Sequence, residues 1–259
     1  MALAAPIRNS AKNVANNLVR TQADRADQSR ARILEAAIAE FSESGLAGAR
    51  TEQIAETAGV NKALLYYYFE GKEALYAAAI ESVADRAVES SMAALSGKRS
   101  AGERLCQFVL NHFDRIHSQR NFQNLMQQEM MRLRRGEENA LAPLVERAFR
   151  PITGAVQELL AEGMRTGELI RVDEWQMMYA ALGANVFYFL SGPTMGLLFG
   201  KDPFVPKALM ERRRAAILYL GQTVFTDRRH GGRVAERVIS RTPMPESAPM
   251  LNRFKVRTK

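Results

Sequence analysis

The sequence predicts an all-α protein in two parts, a small N-terminal three-helix helix-turn-helix (homeodomain-like) domain and a larger C-terminal helical bundle. Three observations predict it. Apolar residues recur at three- and four-residue steps along most of the 259 residues, as one face of a helix requires, and no run alternates apolar with polar as a half-buried strand would. The stretch Thr51–Lys72, TEQIAETAGVNKALLYYYFEGK, holds two short helical patterns separated by Ala58-Gly59-Val60-Asn61. That is the layout of a short helix, a tight turn and a second helix whose outer face can enter a DNA groove. Finally, 47% apolar and 25% charged residues are the proportions of a globular chain.

Taken in order, residues 1–28 are rich in Ala, Asn and charge with little periodicity, and read as a flexible basic arm, irregular or partly helical. From Ser29 a stripe of Ile33, Leu34, Ala37 and Phe41 predicts a helix that Gly45 stops. Thr51 is expected to cap the next helix, with Glu52 in its first turn and Ile54, Ala55 and Ala58 inward. Asn61 caps a third helix that runs to about Phe69. A long Ala-rich helix follows from Lys72 to about Met92. After the loop 96–102, one stripe holds Leu105, Phe108, Val109, His112 and Ile116, and another Phe122, Leu125, Met126, Glu129, Met130 and Leu133. The next helix spans about 143–163, with Pro151 forcing a kink or break near Arg150. Asp173 with Gln176 three residues on makes a capping-box-like start for a helix over 173–191. Pro193, Pro203 and Pro206 bracket an irregular loop before a last helix over 207–225.

Charge is unevenly spread. Residues 1–28 carry a formal +2 and residues 226–259 a formal +6, which together equal the +8 of the whole chain and leave the body neutral. Basic ends suit a polyanionic partner such as DNA, and equally suit solvated disordered tails. Cys106 is the single cysteine, so no internal disulfide forms, and the N-terminus lacks a basic region followed by an apolar run. A cytoplasmic location is expected. The charge-free span Gln176–Gly200 is long enough to cross a bilayer, but Gly183, Asn185, Ser191-Gly192-Pro193, Gly196 and Gly200 break it after Leu190. A buried interface helix followed by an apolar loop, with no membrane, is the expectation.

Residues 29–75 form one small helical domain around Ile33, Ala37, Phe41, Ile54, Ala55, Val60, Leu65, Phe69 and Leu75. The other face of the third helix then carries Lys62, Ala63, Leu64, Tyr66 and Tyr67, with Tyr68 at its edge. Lysine and tyrosine can bond to phosphates and base edges, and a helix N-terminus attracts phosphate. Alternatively the tyrosines pack; at least one must, because consecutive helical residues point in different directions.

The residues Thr51, Ile54-Ala55, Ala58-Gly59-Val60, Asn61, Leu65-Tyr66, Tyr68-Phe69, Lys72 and Leu75 make this stretch resemble the DNA-binding domain of the TetR family of transcriptional repressors. The resemblance implies that Thr51, Tyr68 and Lys72 contact phosphates and that Lys62, Ala63 and Tyr66 lie toward bases. It departs at Leu64, where Thr or Ser is common, and at Ala63, where Gly or Pro often stands. Leu64 cannot bond to a phosphate, though it can meet a thymine methyl.

By the same resemblance, residues 76–225 bind a small-molecule inducer and dimerise; the helix 72–92 connects the two parts and is therefore the natural lever between them. The dimer would use about 173–191 and 207–225, through Met178, Leu182, Val186 and Phe189 on one helix and Ile217, Leu218, Leu220, Val224 and Phe225 on the other; the alternative is that these complete a monomer's core. Two readers about 34–36 Å apart would read the half-sites of a pseudo-palindromic duplex operator. The pocket is placed among helices between about 100 and 190, where Phe108, Phe122, Met126, Met130, Trp175, Met178 and Phe187 would line it and His112 and Glu129 would be polar anchors. These residues equally suit plain core.

Catalysis has little support. His112 and His117 are five residues apart, off the four-residue step that shares a helical face, and Cys106 lies on a mostly apolar helix. No Gly-rich phosphate loop, nucleophile elbow or clustered metal ligands occur, so neither an enzyme, a cofactor nor a metal is expected.

Overall fold

The structure is a computed structural model that describes the backbone of residues 7–246 and the side chains of residues 25–246. The described chain is helical: α1 (Ile7–Gly48), α2 (Thr51–Ala58), α3 (Lys62–Tyr68), α4 (Lys72–Leu95), α5 (Ala101–Ser118), α6 (Arg120–Arg134), α7 (Leu141–Leu144), a π-helical turn (Val145–Phe149), α8 (Arg150–Arg165), α9 (Glu174–Phe199), α10 (Pro206–Val224) and α11 (Arg228–Arg241). It divides into two compact units, Met1–Ser82 and Val83–Lys259, with the division inside α4.

In the N-terminal unit the expected core is present. Ile33, Ala37, Phe41, Ile54, Ala55, Leu65, Phe69 and Leu75 are all buried, Val60 is half-buried, and Phe41 meets Tyr76 edge to face at 4.9 Å between ring centroids. Gly45 leaves helical geometry at φ 67°, which ends the main run of α1 at the predicted residue. The start differs. Of the arm expected over 1–28 as irregular or partly helical, residues 7–28 continue α1 toward the N-terminus without a break, and residues 1–6 lie outside the described residues.

The C-terminal unit is built around α5. Leu105, Phe108, Val109 and Leu110 pack with Val156, Leu159 and Leu160 of α8, Ile217, Leu220 and Val224 of α10, and Val234, Ala235 and Val238 of α11. Two buried arginines stitch it together. Arg104 donates to Leu95 O at 3.0 Å, satisfying the end of α4, and pairs with Glu162 at 2.6 Å. Arg213 makes a bidentate pair with Asp114 at 2.6 and 2.7 Å and donates to Thr242 O at 3.0 Å, fastening the end of α11.

Three expectations fail here. Of the tail expected over 226–259, residues 228–241 form α11, which Asp227 caps by accepting from the Arg229 and His230 amides and whose apolar face is core, while residues 247–259 lie outside the described residues. Gly221 and Gly231 allow that helix to lie against α10, since a Cβ on Gly231 would fall 1.9 Å from Gly221 O. Next, α9 does not end near Leu190 but runs through Pro193 to Phe199 and stops at left-handed Gly200. A side chain at Gly192 would collide with the Phe204 ring at 2.2 Å, so Phe204 supports the helix beside its proline. Lastly, Ile217, Leu220, Val224 and Phe225 are buried in the subunit's own core and are unavailable to a partner; Leu218 packs against the same core.

Other expectations hold. The break near Arg150 appears as the π-helical turn, after which α8 starts with Pro151 in its first turn, where a missing N–H leaves no bond unmade. Asp173 caps α9 by accepting from Gln176 N at 2.9 Å.

Candidate nucleic-acid interface

The turn between α2 and α3 is set by local chemistry. Gly59 adopts φ 65°, ψ 39°, which a residue with a Cβ resists, and its N–H and that of Val60 satisfy the last carbonyls of α2. Asn61 then opens α3 by accepting from Leu64 N at 2.7 Å. Leu65 and Phe69 anchor the helix in the core, while Lys62, Ala63, Tyr66 and Tyr67 are exposed and Leu64, Tyr68 and Lys72 half-exposed. Tyr67 is the most exposed aromatic of the three, at 81%, against 42% for Tyr66. Arg30 lies over the Phe69 ring at 5.3 Å, bracing the end of α3.

Thr51 corrects one expectation. Arg50 holds the N-cap position without a side-chain cap bond, and Thr51 is a buried first-turn residue. Its hydroxyl lies 3.2 Å from the Tyr66 hydroxyl, so the two form a hydroxyl pair bridging α2 and α3. Glu52 lies in the first turn of α2 as expected, and its partner, which the sequence did not reveal, is the Lys62 ammonium at 2.5 Å; that ammonium sits 5.7 Å from the Tyr66 ring centroid. Their hydrogen bond and opposite charges hold the Glu52 carboxyl below its usual pKa and raise that of Lys62. The signal in the sequence was the pair of opposite charges on the two helices. Lys72 donates to Ala47 O at 3.1 Å, tying the start of α4 to the end of α1.

The expected ligand-lining residues do not all converge. Phe108 and Met126 are buried, Phe122 and Met178 are half-buried, and Met130, Trp175 and Phe187 are exposed at 51%, 51% and 62%. Glu129 is fully buried and committed, accepting from Arg132 at 2.9 Å and from the Ala140 amide, so it is a structural carboxylate and not a spare anchor. His112 does meet a polar partner, Asn185 of α9, at 3.4 Å. Asn185 also donates to Val109 O at 3.3 Å, is fully buried, and leaves its Oδ1 without a hydrogen-bond partner. Desolvation, with the Arg115 charge second, pushes His112 down to about 3, so it is neutral at physiological pH. The Cys106 thiol is pushed up to about 12 by burial and is unreactive there. Among the described residues no His, Cys, Asp and Glu gather into a metal-binding group.

This fold and this α2–α3 geometry define a helix-turn-helix protein with a C-terminal helical domain. A family model described as bacterial regulatory proteins, tetR family, matches residues 33–79, and another, described as a tetracyclin repressor-like C-terminal domain, matches residues 102–218. The chain belongs to the tetR family of bacterial regulatory proteins. It is similar to the HTH-type transcriptional regulator RutR of Escherichia coli, with 55% identity over 53 residues, 20% of this chain and 25% of that one. The match thus spans about a quarter of the relative's length. Two solved structures share the fold across most of the chain. A TetR/AcrR-family transcriptional regulator from Thermobifida fusca has 27% identity and a TM-score of 0.52, covering 72% of this chain and 95% of its own. The regulator FadR of Bacillus subtilis, in complex with stearoyl-CoA, has 20% identity and a TM-score of 0.55, covering 73% and 96%.

Proposed function

We propose that the protein is a transcriptional repressor that binds a pseudo-palindromic operator as a homodimer in the cytoplasm and is released by a small molecule. The observation that carries the reading is α3: Leu65 and Phe69 hold it down while Lys62, Ala63, Tyr66 and Tyr67 stand clear of the core. In this reading Lys62, Ala63 and Tyr66 face bases, with Leu64 offering a methyl contact and Tyr67 flanking them. Tyr68 and Lys72 hold phosphates, Thr51 supports Tyr66 from α2 through their hydroxyl pair, and Asn61 fixes the helix start. The Thr51–Tyr66 hydroxyl pair and the Lys62–Glu52 ion pair organise these side chains before DNA arrives.

Dimerisation is supported by α9, which exposes Trp175, Tyr179, Phe187 and Leu190, at 51%, 72%, 62% and 56%. Such an apolar stripe is characteristic of a covered interface. By length and composition α9 could also cross a membrane. Against that, its Asn185 is bonded inside the fold to α5. On α10 the partner would meet Tyr219, on the side where Arg212 reaches Ala184 O of α9, in place of the residues that its own core consumes. Ligand release is supported by the likeness to FadR, whose structure holds stearoyl-CoA. The His112–Asn185 pair is the polar anchor for such a ligand, whose effect requires that it favour a conformation with the wrong reader spacing.

Selection of bound fragments from genomic DNA, followed by gel-shift titration, tests this. Tyr66→Ala and Lys62→Ala should each stay folded and dimeric and lose about 1–3 kcal/mol of operator affinity. Normal operator binding by both variants would refute the reader assignment, and absence of any sequence preference in the wild type would refute the regulator.

A further inference from the structure

Helix α11 lies beyond the residues 102–218 that the family model matches, and carries five arginines. Its apolar residues Val234, Ala235 and Val238 are buried in the core, so what it offers to solvent is charge. Arg229, Arg233, Arg237 and Arg241 are spaced four apart and all exposed, with Arg228 beside the first. At 1.5 Å per residue these guanidiniums are spread over about 18 Å of helix.

Neighbouring carboxylates leave this row in excess. Glu236 is taken by a bidentate pair with Arg214 of α10. Glu103 of α5 is shared by Arg237 at 3.5 Å and Arg241 at 3.8 Å, two cations on one anion. Asp227 spends its carboxylate on capping the Arg229 and His230 amides, and feels Arg233 only through its charge. Arg228, Arg229 and Arg233 line a surface hollow of about 640 Å³ together with Leu218, Gln222 and the Arg214-paired Glu236.

We propose that α11 is a second, sequence-independent contact with the phosphate backbone of duplex DNA, additional to the α3 reader and resting on the DNA-binding reading above. The shape selects this partner. A row about 18 Å long suits an extended polyanion better than a compact one. A membrane surface is disfavoured, because a helix that binds the lipid interface inserts its apolar face, and here that face is inside the protein. Guanidiniums bond to phosphate oxygens without reading bases, so the contact adds affinity on every sequence.

The test is a salt titration of binding to the selected operator duplex and to a scrambled duplex of the same length, using the full chain. The variant carries Arg228→Gln, Arg229→Gln and Arg233→Gln, all exposed positions outside the core. The slope of log affinity against log salt should become shallower on both duplexes, by about 0.9 for each arginine that meets a phosphate. The matching Arg→Lys variant, which keeps the charge, should restore the slope. An unchanged slope in a folded Gln variant would overturn the proposal. So would a changed oligomeric state, or lost binding to phosphatidylserine vesicles, with the slope intact. Failure of the regulator reading looks different: no operator preference in the wild type, with a slope that still falls on neutralising α11.

Discussion

In the N-terminal unit the decisive bonds join residues close in sequence: Asn61 caps Leu64 three positions on, Lys62 reaches Glu52 ten away and Tyr66 reaches Thr51 fifteen away. In the C-terminal unit Arg213 reaches back 99 residues to Asp114, and Gln107 reaches forward 135 to Thr242. The first unit is a local device, whose turn and caps are written beside the residues they position. The second is closed by its own C-terminus. The difference implies that damage to the first should be graded and functional, whereas damage to the closure of the second should be structural.

The largest expected effect is from ending the chain at Phe225. Removing Val234, Ala235 and Val238 from the core should cost the C-terminal unit on the order of 5 kcal/mol. A truncated chain that unfolds at the wild-type denaturant midpoint would break the comparison. Next is Arg213→Ala, which leaves Asp114 as a nearly buried, unpaired charge and should cost about 3–5 kcal/mol in denaturant unfolding. Gly231→Ala sets a methyl group against Gly221 O and should cost about 1–3 kcal/mol, with α11 amides exchanging faster than those of α5.

Asn61→Ala, in the other unit, should cost only about 1 kcal/mol while weakening operator binding, since the start of α3 frays. The smallest effect at neutral pH is that of His112→Phe. His112 has a folded pKa depressed to about 3 against about 6.5 unfolded, so the unfolded chain takes the proton first. Wild-type stability should therefore fall as pH drops below about 6.5 toward about 3, and the Phe variant should show a shallower acid slope in thermal melts.

Much of the fold was legible because its signals are local. Gly59 needs positive φ, Asn61 and Asp173 are caps, and Pro151, with no N–H to donate, favours the first turn of a helix; each depends on a few adjacent residues. The site was partly legible. The exposed face of α3 follows from which residues are apolar, but Thr51 looked like a cap and is instead a buried partner of Tyr66, a contact between helices that no periodicity encodes. α11 was hidden because arginines flank its few apolar residues and Gly231-Gly232 reads as a breaker. Only packing against α10 shows that one of those glycines is needed for close approach. Glu129 and Met130 looked like neighbours on one pocket wall, yet one is fully buried and the other half in solvent.

By itself, then, the sequence determined the helical class, the helix-turn-helix and its exposed reader face, because caps, turns and amphipathic periods act within a few residues. Only the tertiary structure decided which apolar faces the subunit keeps for its own core, and so left α9, not the apolar face of α10, open to a partner. It also decided that the arginine-rich segment after Phe225 is a folded helix with its charges on one side. Those outcomes depend on which distant segments bury each other, a competition for the same apolar surface that no local pattern records.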